Sequence, residues 1–381
     1  MILLRCFLLV TFSLGFVTAN PTFKPSTFPK KTTICTAIKR SPIEEKVNIT
    51  LGYVELNPRA PTTLLMVHGW PSLWSTWSYQ IQEFQDDYHL IVPDLRGFAE
   101  STHPGDVRAS GTMADMVGDL VCILKSANVQ SAICMGHDWG SQICFEAARM
   151  RPDIFTAVIG AVIPYMPAAG PFVPIKDLTT LLPALTYQIY FDSRTEDAVL
   201  ELDNDVRRTI RATLRTVDSP PPDEFLKSNT SYLSAWSTIP EARCPIYLTG
   251  CQTDDIQIPP VPFFTPEEED YFVEQFSLQG FKNTLQFYTT ENRHQSWEID
   301  HRQGNFTISQ PVLAIYPSED PVANWELVAK LLKSSEFTPQ LTTEVTKGAH
   351  WVHLEHSNIF NMLVRAWLSK KSLLNPSRDE L

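Results

Sequence analysis

Several patterns that indicate a cofactor, a metal or a nucleic-acid partner are absent from this 381-residue sequence. It has no Gly-rich phosphate loop, no dinucleotide-binding fingerprint and no Cys/His spacing that favours a metal site. It has no basic run, and its net charge of −12 argues against binding to nucleic acid. No repeat and no long low-complexity segment occurs. With 43% hydrophobic residues, the chain is typical of a globular protein with a large core, and we expect neither a metal nor a cofactor.

The stretch Gly-His-Asp-Trp-Gly at residues 136–140 has the Gly-x-nucleophile-x-Gly spacing of a nucleophile elbow, with Asp138 where a serine usually stands. An apolar run at 131–135 predicts a buried strand before it, and residues 141–150 favour a helix after it. A sharp turn between the two would present the Asp138 side chain to a pocket. The alternative is that Asp138 only caps the helix, which is a common use of aspartate.

A carboxylate nucleophile narrows the chemistry. It attacks a saturated carbon and forms an alkyl ester, whereas serine would form an acyl enzyme. The elbow therefore predicts displacement at an epoxide or at a carbon–halogen bond, and it disfavours an esterase.

Two further candidate catalytic residues follow in the chain order nucleophile, acid, histidine. Asp320 lies just beyond a second buried strand at 311–316, at the strand end where ligands bind in open α/β sheets. His350 follows the alternating run 341–345 and precedes a helical pattern at 359–368. Asp320 would orient the imidazole of His350, which would deprotonate a water.

Each of these assignments has a competing neighbour. Asp320 is adjacent to Glu319 and by itself is also compatible with a simple turn, and His353 and His356 closely follow His350. We select His350 because it lies next to a glycine at the predicted loop apex, whereas the other two histidines fall in or beside the helix.

Together these residues resemble those of α/β-hydrolase-fold epoxide hydrolases of the soluble type. The resemblance covers roughly residues 40–370 and rests on five motifs in order, which are His68-Gly-Trp-Pro71, Asp94-Leu-Arg-Gly97, Gly136–Ser141, Asp320-Pro-Val322 and Gly348–Trp351. It implies an α/β fold with a mostly parallel central sheet, helices on both faces and an inserted helical cap. The core would comprise residues 40–165 and 306–370, and the cap residues 166–305.

The resemblance also implies roles that spacing alone does not assign. The backbone N–H groups of Trp70 and Trp139 would hold the oxyanion that forms when water attacks the ester. Tyr187 and Tyr288 in the cap would donate hydrogen bonds to the epoxide oxygen as the ring opens. Tyr190 is a close alternative to Tyr187, and ordinary packing within the cap is the alternative for all three tyrosines.

The predicted reaction converts a small lipophilic epoxide and water to a vicinal diol through an alkyl ester on Asp138. A haloalkane dehalogenase, with a halide cradle made from the Trp70 and Trp139 indoles, is an alternative, and so is an inactive binding scaffold of the same fold. The candidate phenols of Tyr187 and Tyr288 favour the epoxide, because its alkoxide leaving group needs an acid. The chain departs from the family at Ala99, where relatives commonly carry glycine.

Both ends of the chain carry targeting patterns. Residues 1–19 have a short basic start, an apolar stretch and a small-residue cleavage site, which predict a signal peptide, with a retained membrane anchor as the alternative. The tail 371–381 ends in Arg-Asp-Glu-Leu, which resembles the Lys-Asp-Glu-Leu address for the endoplasmic reticulum. We expect residence in the lumen of the endoplasmic reticulum through a retention receptor, with secretion as the second choice.

An oxidising lumen is consistent with the glycosylation and cysteine patterns. The N-x-Ser/Thr sites, expected on loops outside the central strands, are Asn48, Asn229 and Asn305. Cys244 and Cys251 lie in a Pro-rich insertion of the cap and are predicted to form a disulfide. The cysteines predicted to be buried free thiols are Cys122, Cys134 and Cys144.

Overall fold

The computed structural model of the protein describes residues 23–237 and 258–374. The predicted signal peptide, the Cys244–Cys251 pair and the C-terminal Arg-Asp-Glu-Leu lie outside these residues. No helix within the two described ranges is long and apolar enough to cross a membrane.

The centre of the fold is a sheet of eight strands. They are β1 (Lys30–Lys39), β2 (Glu45–Leu56), β3 (Thr63–Val67), β4 (His89–Pro93), β5 (Ala132–His137), β6 (Phe155–Ala161), β7 (Val312–Pro317) and β8 (Leu341–Thr346). Their order across the sheet is β1-β2-β4-β3-β5-β6-β7-β8, and β3 to β8 are mutually parallel. The short runs β3, β4 and β7 are buried throughout, as expected for parallel strands covered on both faces. The predicted mostly parallel sheet is confirmed.

Helices connect and cover these strands. They are α1 (Ser78–Phe84), α2 (Met113–Ser126), α3 (Trp139–Met150), α4 (Ile175–Leu178), α5 (Tyr187–Ser193), α6 (Thr195–Asn204), α7 (Val206–Thr213), α8 (Pro266–Ser277), α9 (Thr290–Gln303), α10 (Trp325–Leu331), α11 (Val352–Glu355) and α12 (Ser357–Leu374). Alternating residues of β3 show how the layers form. Leu65 and Val67 pack in a cluster that includes α2 and α3, whereas Leu64 and Met66 pack with α1 and α12 on the opposite face.

The helices α4 to α9 all lie between β6 and β7, within the interval 166–305 in which a cap is predicted. We call this helical segment the cap, and its division from the core at those residues stays a prediction. Its helix α8 begins with a capping box, in which the Thr265 hydroxyl accepts from the N–H of Glu268 and the Glu268 carboxylate accepts from the N–H of Thr265. The helical stretch 195–213 of the cap consists of two helices, α6 and α7. It is interrupted at Asp205, whose extended backbone and side chain cap α7.

Sequence patterns do not predict the antiparallel pair formed by β1 and β2, and β1 begins before residue 40. Its hydrophobic signal is weak because Cys35 and Ala37 are its buried residues and the remainder is exposed or half-buried. β2 pairs antiparallel with β4 and so extends the sheet. Asn48 lies in β2, so its predicted position on a loop is wrong, although its side chain is exposed.

The prediction of free thiols is wrong at all three positions. Cys122 on α2 bonds to Cys35 on β1, and Cys134 on β5 bonds to Cys144 on α3. The Cα atoms of these pairs are 6.0 Å and 5.4 Å apart. Such pairings depend on which segments the fold brings together, and spacing along the chain does not specify them.

Candidate active site

Asp138 occupies the sharp turn between β5 and α3, where its backbone has φ 55° and ψ −126°. A residue with a Cβ rarely adopts a positive φ, and such strained positions cluster at functional sites. The turn also needs close backbone approach. A Cβ on Gly140 would overlap the carbonyl group of Val67, and one on Gly69 would overlap the Asp138 side chain. The local sequence therefore presents the Asp138 carboxylate at the carboxyl ends of the parallel strands.

The Asp138 side chain makes no capping bond to α3, so the alternative of a simple helix cap is wrong. Its Oδ1 instead accepts a hydrogen bond of 2.9 Å from the backbone N–H of Trp70. Trp70 follows β3 in the loop predicted to hold an oxyanion. The second predicted donor, the N–H of Trp139, belongs to the first residue of α3, where backbone N–H groups lack partners within the helix.

Buried polar contacts fix the loop that carries Trp70. The ring of His68 accepts from the N–H of Leu95 at Nε2 (3.0 Å) and donates from Nδ1 to the carbonyl of Gly69 (2.9 Å). Burial lowers the pKa of His68, so this ring stays neutral with its hydrogen on Nδ1. It ties the loop after β3 to the loop after β4.

The loop after β4 supports the site without entering it. Arg96 binds both carboxylate oxygens of Asp119 at 2.6 Å and 2.7 Å, and Asp94 pairs with Lys30 at 2.7 Å. Both contacts agree with a structural interpretation of this motif. Ala99, where the family resemblance implies a glycine, adopts φ 48°, a conformation that glycine tolerates better.

His350 lies between two carboxylates from different loops. Its Nδ1 is 2.8 Å from Oδ2 of Asp320, and its Nε2 is 3.5 Å from Oδ2 of Asp138. Asp320 is fixed in turn, because its Oδ1 accepts from the N–H of Val322 (2.8 Å) and its Oδ2 accepts from the indole of Trp325 (2.6 Å). The loops after β5, β7 and β8 thus bring three predicted residues together from positions far apart in the chain.

This arrangement sets the charge of His350. Burial by itself disfavours the charged ring, but the charges and hydrogen bonds of Asp320 and Asp138 outweigh it and raise the pKa of His350 to about 10. The ring is therefore protonated at neutral pH as long as both carboxylates are ionised.

The competing neighbours do not occupy this position. The side chain of Glu319 is exposed, whereas that of Asp320 is fully buried. His353 is buried beneath the site against the ring of His137, with a centroid distance of 4.1 Å. His356 faces Glu355 at 3.9 Å. Of these candidates, His350 is the one whose ring lies beside Asp138, and Asp320 is the carboxylate that contacts this ring.

Tyr187 on α5 and Tyr288, which precedes α9, reach the same place from the cap. Their ring centroids are 5.7 Å apart, and both side chains are buried. Burial, together with the nearby charge of Asp138, raises the pKa of each phenol, so both hydroxyls keep their hydrogen at neutral pH. Tyr190 instead packs against Phe191 and Arg194, and it does not line the cavity described next.

Asp138, Tyr187, Tyr288 and His350 all line one cavity of about 230 Å³ between the core and the cap. Apolar side chains form much of its wall, including Ile163, Leu185, Phe225, Val322 and Trp351. A concave, mostly apolar cavity with a few convergent polar groups is the usual form of a small-molecule site.

Sequence patterns missed several residues of the site. The Trp325 indole holds Asp320, and no motif marks it. Gln188 lines the cavity and donates to the Tyr187 hydroxyl at 3.3 Å, while Arg293 of α9 donates to the Gln188 amide oxygen at 3.0 Å. Gln188 directly follows Tyr187 in the sequence, and this adjacency could have indicated a place in the site. No sequence pattern indicates Arg293. Within the described ranges, no group of three or more His, Cys, Asp and Glu side chains is placed to hold a metal ion.

Residues 62–196 match the family defined by the α/β-hydrolase fold. The chain has the α/β-hydrolase fold. Similar solved structures include epoxide hydrolase A from Mycobacterium thermoresistibile, with a TM-score of 0.65 and 24% identity, covering 88% of this chain and 98% of that chain. An epoxide hydrolase from an endophytic Streptomyces has a TM-score of 0.67 and 24% identity, covering 90% and 96%. At this level of identity the likeness establishes the fold.

Proteins of similar sequence are also named epoxide hydrolases. Bifunctional epoxide hydrolase 2 of Rattus norvegicus is 25% identical over 334 residues, which are 87% of this α/β-hydrolase chain and 55% of the relative. Epoxide hydrolase A of Mycobacterium tuberculosis is 25% identical over 311 residues, 81% of this chain and 90% of the relative. The chain thus spans about half the length of the rat relative and most of the mycobacterial one. The resemblance to epoxide hydrolases inferred from the motifs is confirmed.

Proposed function

We propose that this α/β hydrolase is an epoxide hydrolase that converts a small lipophilic epoxide to a vicinal diol. The observation that carries the proposal is the meeting of four groups in one apolar cavity. These are the Asp138 carboxylate, the two hydroxyls of Tyr187 and Tyr288, and the His350 ring backed by Asp320. The similar sequences named above, which are epoxide hydrolases, support it.

Ring opening comes first in the proposed sequence. An oxygen of Asp138 forms a bond to an epoxide carbon while the bond from that carbon to the ring oxygen breaks. Tyr187 and Tyr288 hydrogen-bond the oxygen, and one of them transfers its proton to the alkoxide that forms. The product of this step is a hydroxyalkyl ester on Asp138.

Ester formation removes the negative charge of Asp138, one of the two charges that hold the proton on His350. The His350 pKa then falls, and the ring releases its proton, which replaces the one that the tyrosine gave away. Neutral His350, oriented by Asp320, takes a proton from water as the water oxygen attacks the ester carbonyl. The N–H of Trp70, already 2.9 Å from Oδ1, binds the developing oxyanion with the N–H of Trp139.

Collapse of the tetrahedral species releases the diol and restores the Asp138 carboxylate. The proton that His350 takes from water returns the ring to its charged resting state. The sum is one epoxide and one water converted to one diol, and no cofactor is consumed.

Contacts of the two indoles favour the epoxide over an alkyl halide. A halide cradle would require free N–H groups on Trp70 and Trp139. The Trp70 indole instead donates to the Thr284 hydroxyl at 3.0 Å, and the Trp139 indole interacts with the Tyr288 hydroxyl. Both indole N–H groups are thus engaged, whereas the phenols of Tyr187 and Tyr288 line the cavity together with Asp138 and interact with its charge.

The test of this function is turnover combined with trapping of the ester. Purified protein is incubated with a panel of lipophilic epoxides and chloro- or bromoalkanes, and diol and halide are measured together. In His350→Gln, loss of the base should slow ester hydrolysis by a factor of about 10² to 10⁴, so the intact mass should rise by the mass of the epoxide. His294→Gln, which removes an exposed histidine, is the matched control and should not accumulate ester. Halide release without diol would assign the chain to dehalogenation, and no product from any compound would contradict both reactions and favour the binding scaffold.

We further propose that the protein resides in the lumen of the endoplasmic reticulum as a glycoprotein. The predicted signal peptide and the Arg-Asp-Glu-Leu tail support this, and so do two internal disulfides. The three glycosylation sites, Asn48, Asn229 and Asn305, are all exposed. Removal of N-glycans should increase gel mobility, and deletion of the last four residues should increase secretion. Full-length protein that fills the cytosol without glycans would rule the proposal out.

The predicted disulfide between Cys244 and Cys251 also remains a proposal. Peptide mapping under non-reducing conditions should recover the two residues in one cross-linked peptide, and the recovery of both as free thiols would exclude the bond.

A further inference from the structure

Arg293 of α9 is a cation at the edge of the site, and within the part of the chain that the structure describes it has no acidic partner. Among the described residues, no carboxylate lies within ion-pair distance of its guanidinium, and the carboxylate whose charge acts on it is Asp192. Asp192 is itself engaged by Arg108 at 2.8 Å and by the N–H of Thr290 at 2.9 Å. Arg293 packs over the Trp139 ring with 5.8 Å from its carbon to the centroid, and it lines a second cavity of about 590 Å³ on the far side of Trp139. The hydrogen bond from this guanidinium to the Gln188 amide is therefore the contact to explain.

The contact decides how the Gln188 amide is oriented. A guanidinium only donates hydrogen bonds, so the group facing Arg293 at 3.0 Å has to be the amide oxygen. The amide NH₂ group then faces the Tyr187 oxygen at 3.3 Å and donates to it. The Tyr187 oxygen is therefore an acceptor on this side, and its own hydrogen is left for another partner.

The opposite orientation of the amide would be harmful to ring opening. The Gln188 oxygen would then face Tyr187 and accept its hydrogen, which would hold the phenol proton away from the substrate. Gln188 by itself has no preference between the two orientations, because its oxygen and nitrogen are nearly equal in shape. Arg293 supplies the preference.

We propose that Arg293 is a positioning residue that holds the Gln188 amide in one orientation, so that the Tyr187 hydroxyl keeps its hydrogen for the epoxide oxygen. This inference rests on the proposed epoxide hydrolase function. Arg293 does not line the catalytic cavity, so it acts through Gln188 and not on the substrate. Donation by the amide also stabilises negative charge on the Tyr187 oxygen, and the positive charge of Arg293 adds to this effect as the proton leaves.

The test separates ring opening from ester hydrolysis, because only ring opening uses the tyrosine proton in this way. In a His350→Gln background the ester accumulates, and its rate of formation in single-turnover mixing with styrene oxide measures ring opening alone. Arg293→Met keeps the packing on Trp139 but removes the donor, and ring opening should slow about tenfold, the loss of roughly one hydrogen bond. Arg293→Lys keeps a group that only donates hydrogen bonds, so its rate of ring opening should stay within about threefold of the parent rate.

Arg293→Glu is the decisive variant. A carboxylate only accepts hydrogen bonds, so it would attract the NH₂ group of the Gln188 amide and reverse its orientation. Ring opening should then slow about a hundredfold, as expected when an acid catalyst is withdrawn. With His350 intact, hydrolysis of the preformed ester should proceed at the parent rate in all three variants. Arg302→Met, which removes an exposed arginine from the same helix, is the matched control and should match the parent in both steps.

Equal ring-opening rates for the Lys and Glu variants would overturn the inference, as would an unchanged rate in Arg293→Met. Equal slowing of both steps would also overturn it, because a general packing defect gives that result. If the His350→Gln parent forms no ester with any epoxide while the intact enzyme forms no diol, the proposed function itself fails, which is distinguishable from the other outcomes.

Discussion

The charge of Asp138 should control the protonation of His350, and Asp138→Asn tests this directly. The difference between the ordinary pKa of histidine and the value of about 10 in this site corresponds to about 5 kcal/mol in favour of the charged ring. At an effective dielectric constant of about 20, the pair at 3.5 Å contributes roughly 5 kcal/mol and the pair at 2.8 Å roughly 6 kcal/mol, before the opposing cost of burial. Asp138 thus supplies nearly half of the attraction, and its loss should remove most of the rise in the His350 pKa.

Stability should respond to pH in the same way. A group whose pKa is raised by folding stabilises the protein fully below its unfolded value, and the contribution is lost as pH rises through the folded value. For His350 this window runs from the ordinary pKa near 6.5 up to about 10. Over it, the unfolding free energy of the parent should fall by up to about 5 kcal/mol on account of this group. In Asp138→Asn this decrease in unfolding free energy should be much smaller, because folding then raises the His350 pKa much less.

Two measurements check the prediction. NMR titration of the His350 ring should give a pKa near the ordinary range in Asp138→Asn, and chemical denaturation across the window should give a flatter profile. The variant keeps its contact with Trp70, because the Asn oxygen also accepts. Glu44→Gln, an exposed carboxylate, is the control for the change in net charge. An unchanged His350 titration in Asp138→Asn would refute the reasoning, and the proposed loss of the His350 proton on ester formation would lose its physical basis.

Three other perturbations have directions that the structure specifies. Asp300 is buried, and its pKa is raised by that burial and by a neighbouring carboxylate. In denaturation experiments, the unfolding free energy of Asp300→Asn relative to the parent should therefore be more favourable at pH 8 than at pH 5. An equal difference between variant and parent at both pH values would contradict the shifted pKa. Replacing Cys35 and Cys122 with serine opens a link across 87 residues and should cost about 4 kcal/mol of unfolding free energy, and an unchanged melting temperature would show that the bond does not form or does not matter. Gly69→Ala should abolish activity, because the added Cβ overlaps the side chain of the candidate nucleophile. Its control is Gly118→Ala, at an exposed helical position with open space around it, which should stabilise the protein by about 1 kcal/mol and keep full activity. Normal turnover by Gly69→Ala would contradict the close approach of the backbone to Asp138.

Short-range features of the site were predictable because they are written in adjacent residues. The elbow around Asp138 depends on a strand, a turn and a helix that follow one another directly, and its glycines mark the close approach. Asp320 and His350 were predictable for a related reason. Each follows a strand of the sheet, and the carboxyl ends of parallel strands meet at one edge. The tyrosines came from the family resemblance, since an aromatic residue in a helical segment does not by itself announce a role.

Only the tertiary structure decided the pairings between distant segments. The weak hydrophobic pattern of β1 hid the strand, and with it the partner of Cys122. The Trp325 indole on Asp320 and the Arg293 guanidinium on Gln188 likewise join residues whose contact no local pattern encodes. The sequence by itself determined the reactive groups and the fold that presents them, because periodicity and turn chemistry act between near neighbours. The structure decided their charge states and orientations, because burial and hydrogen bonding depend on side chains that meet only after the chain has folded.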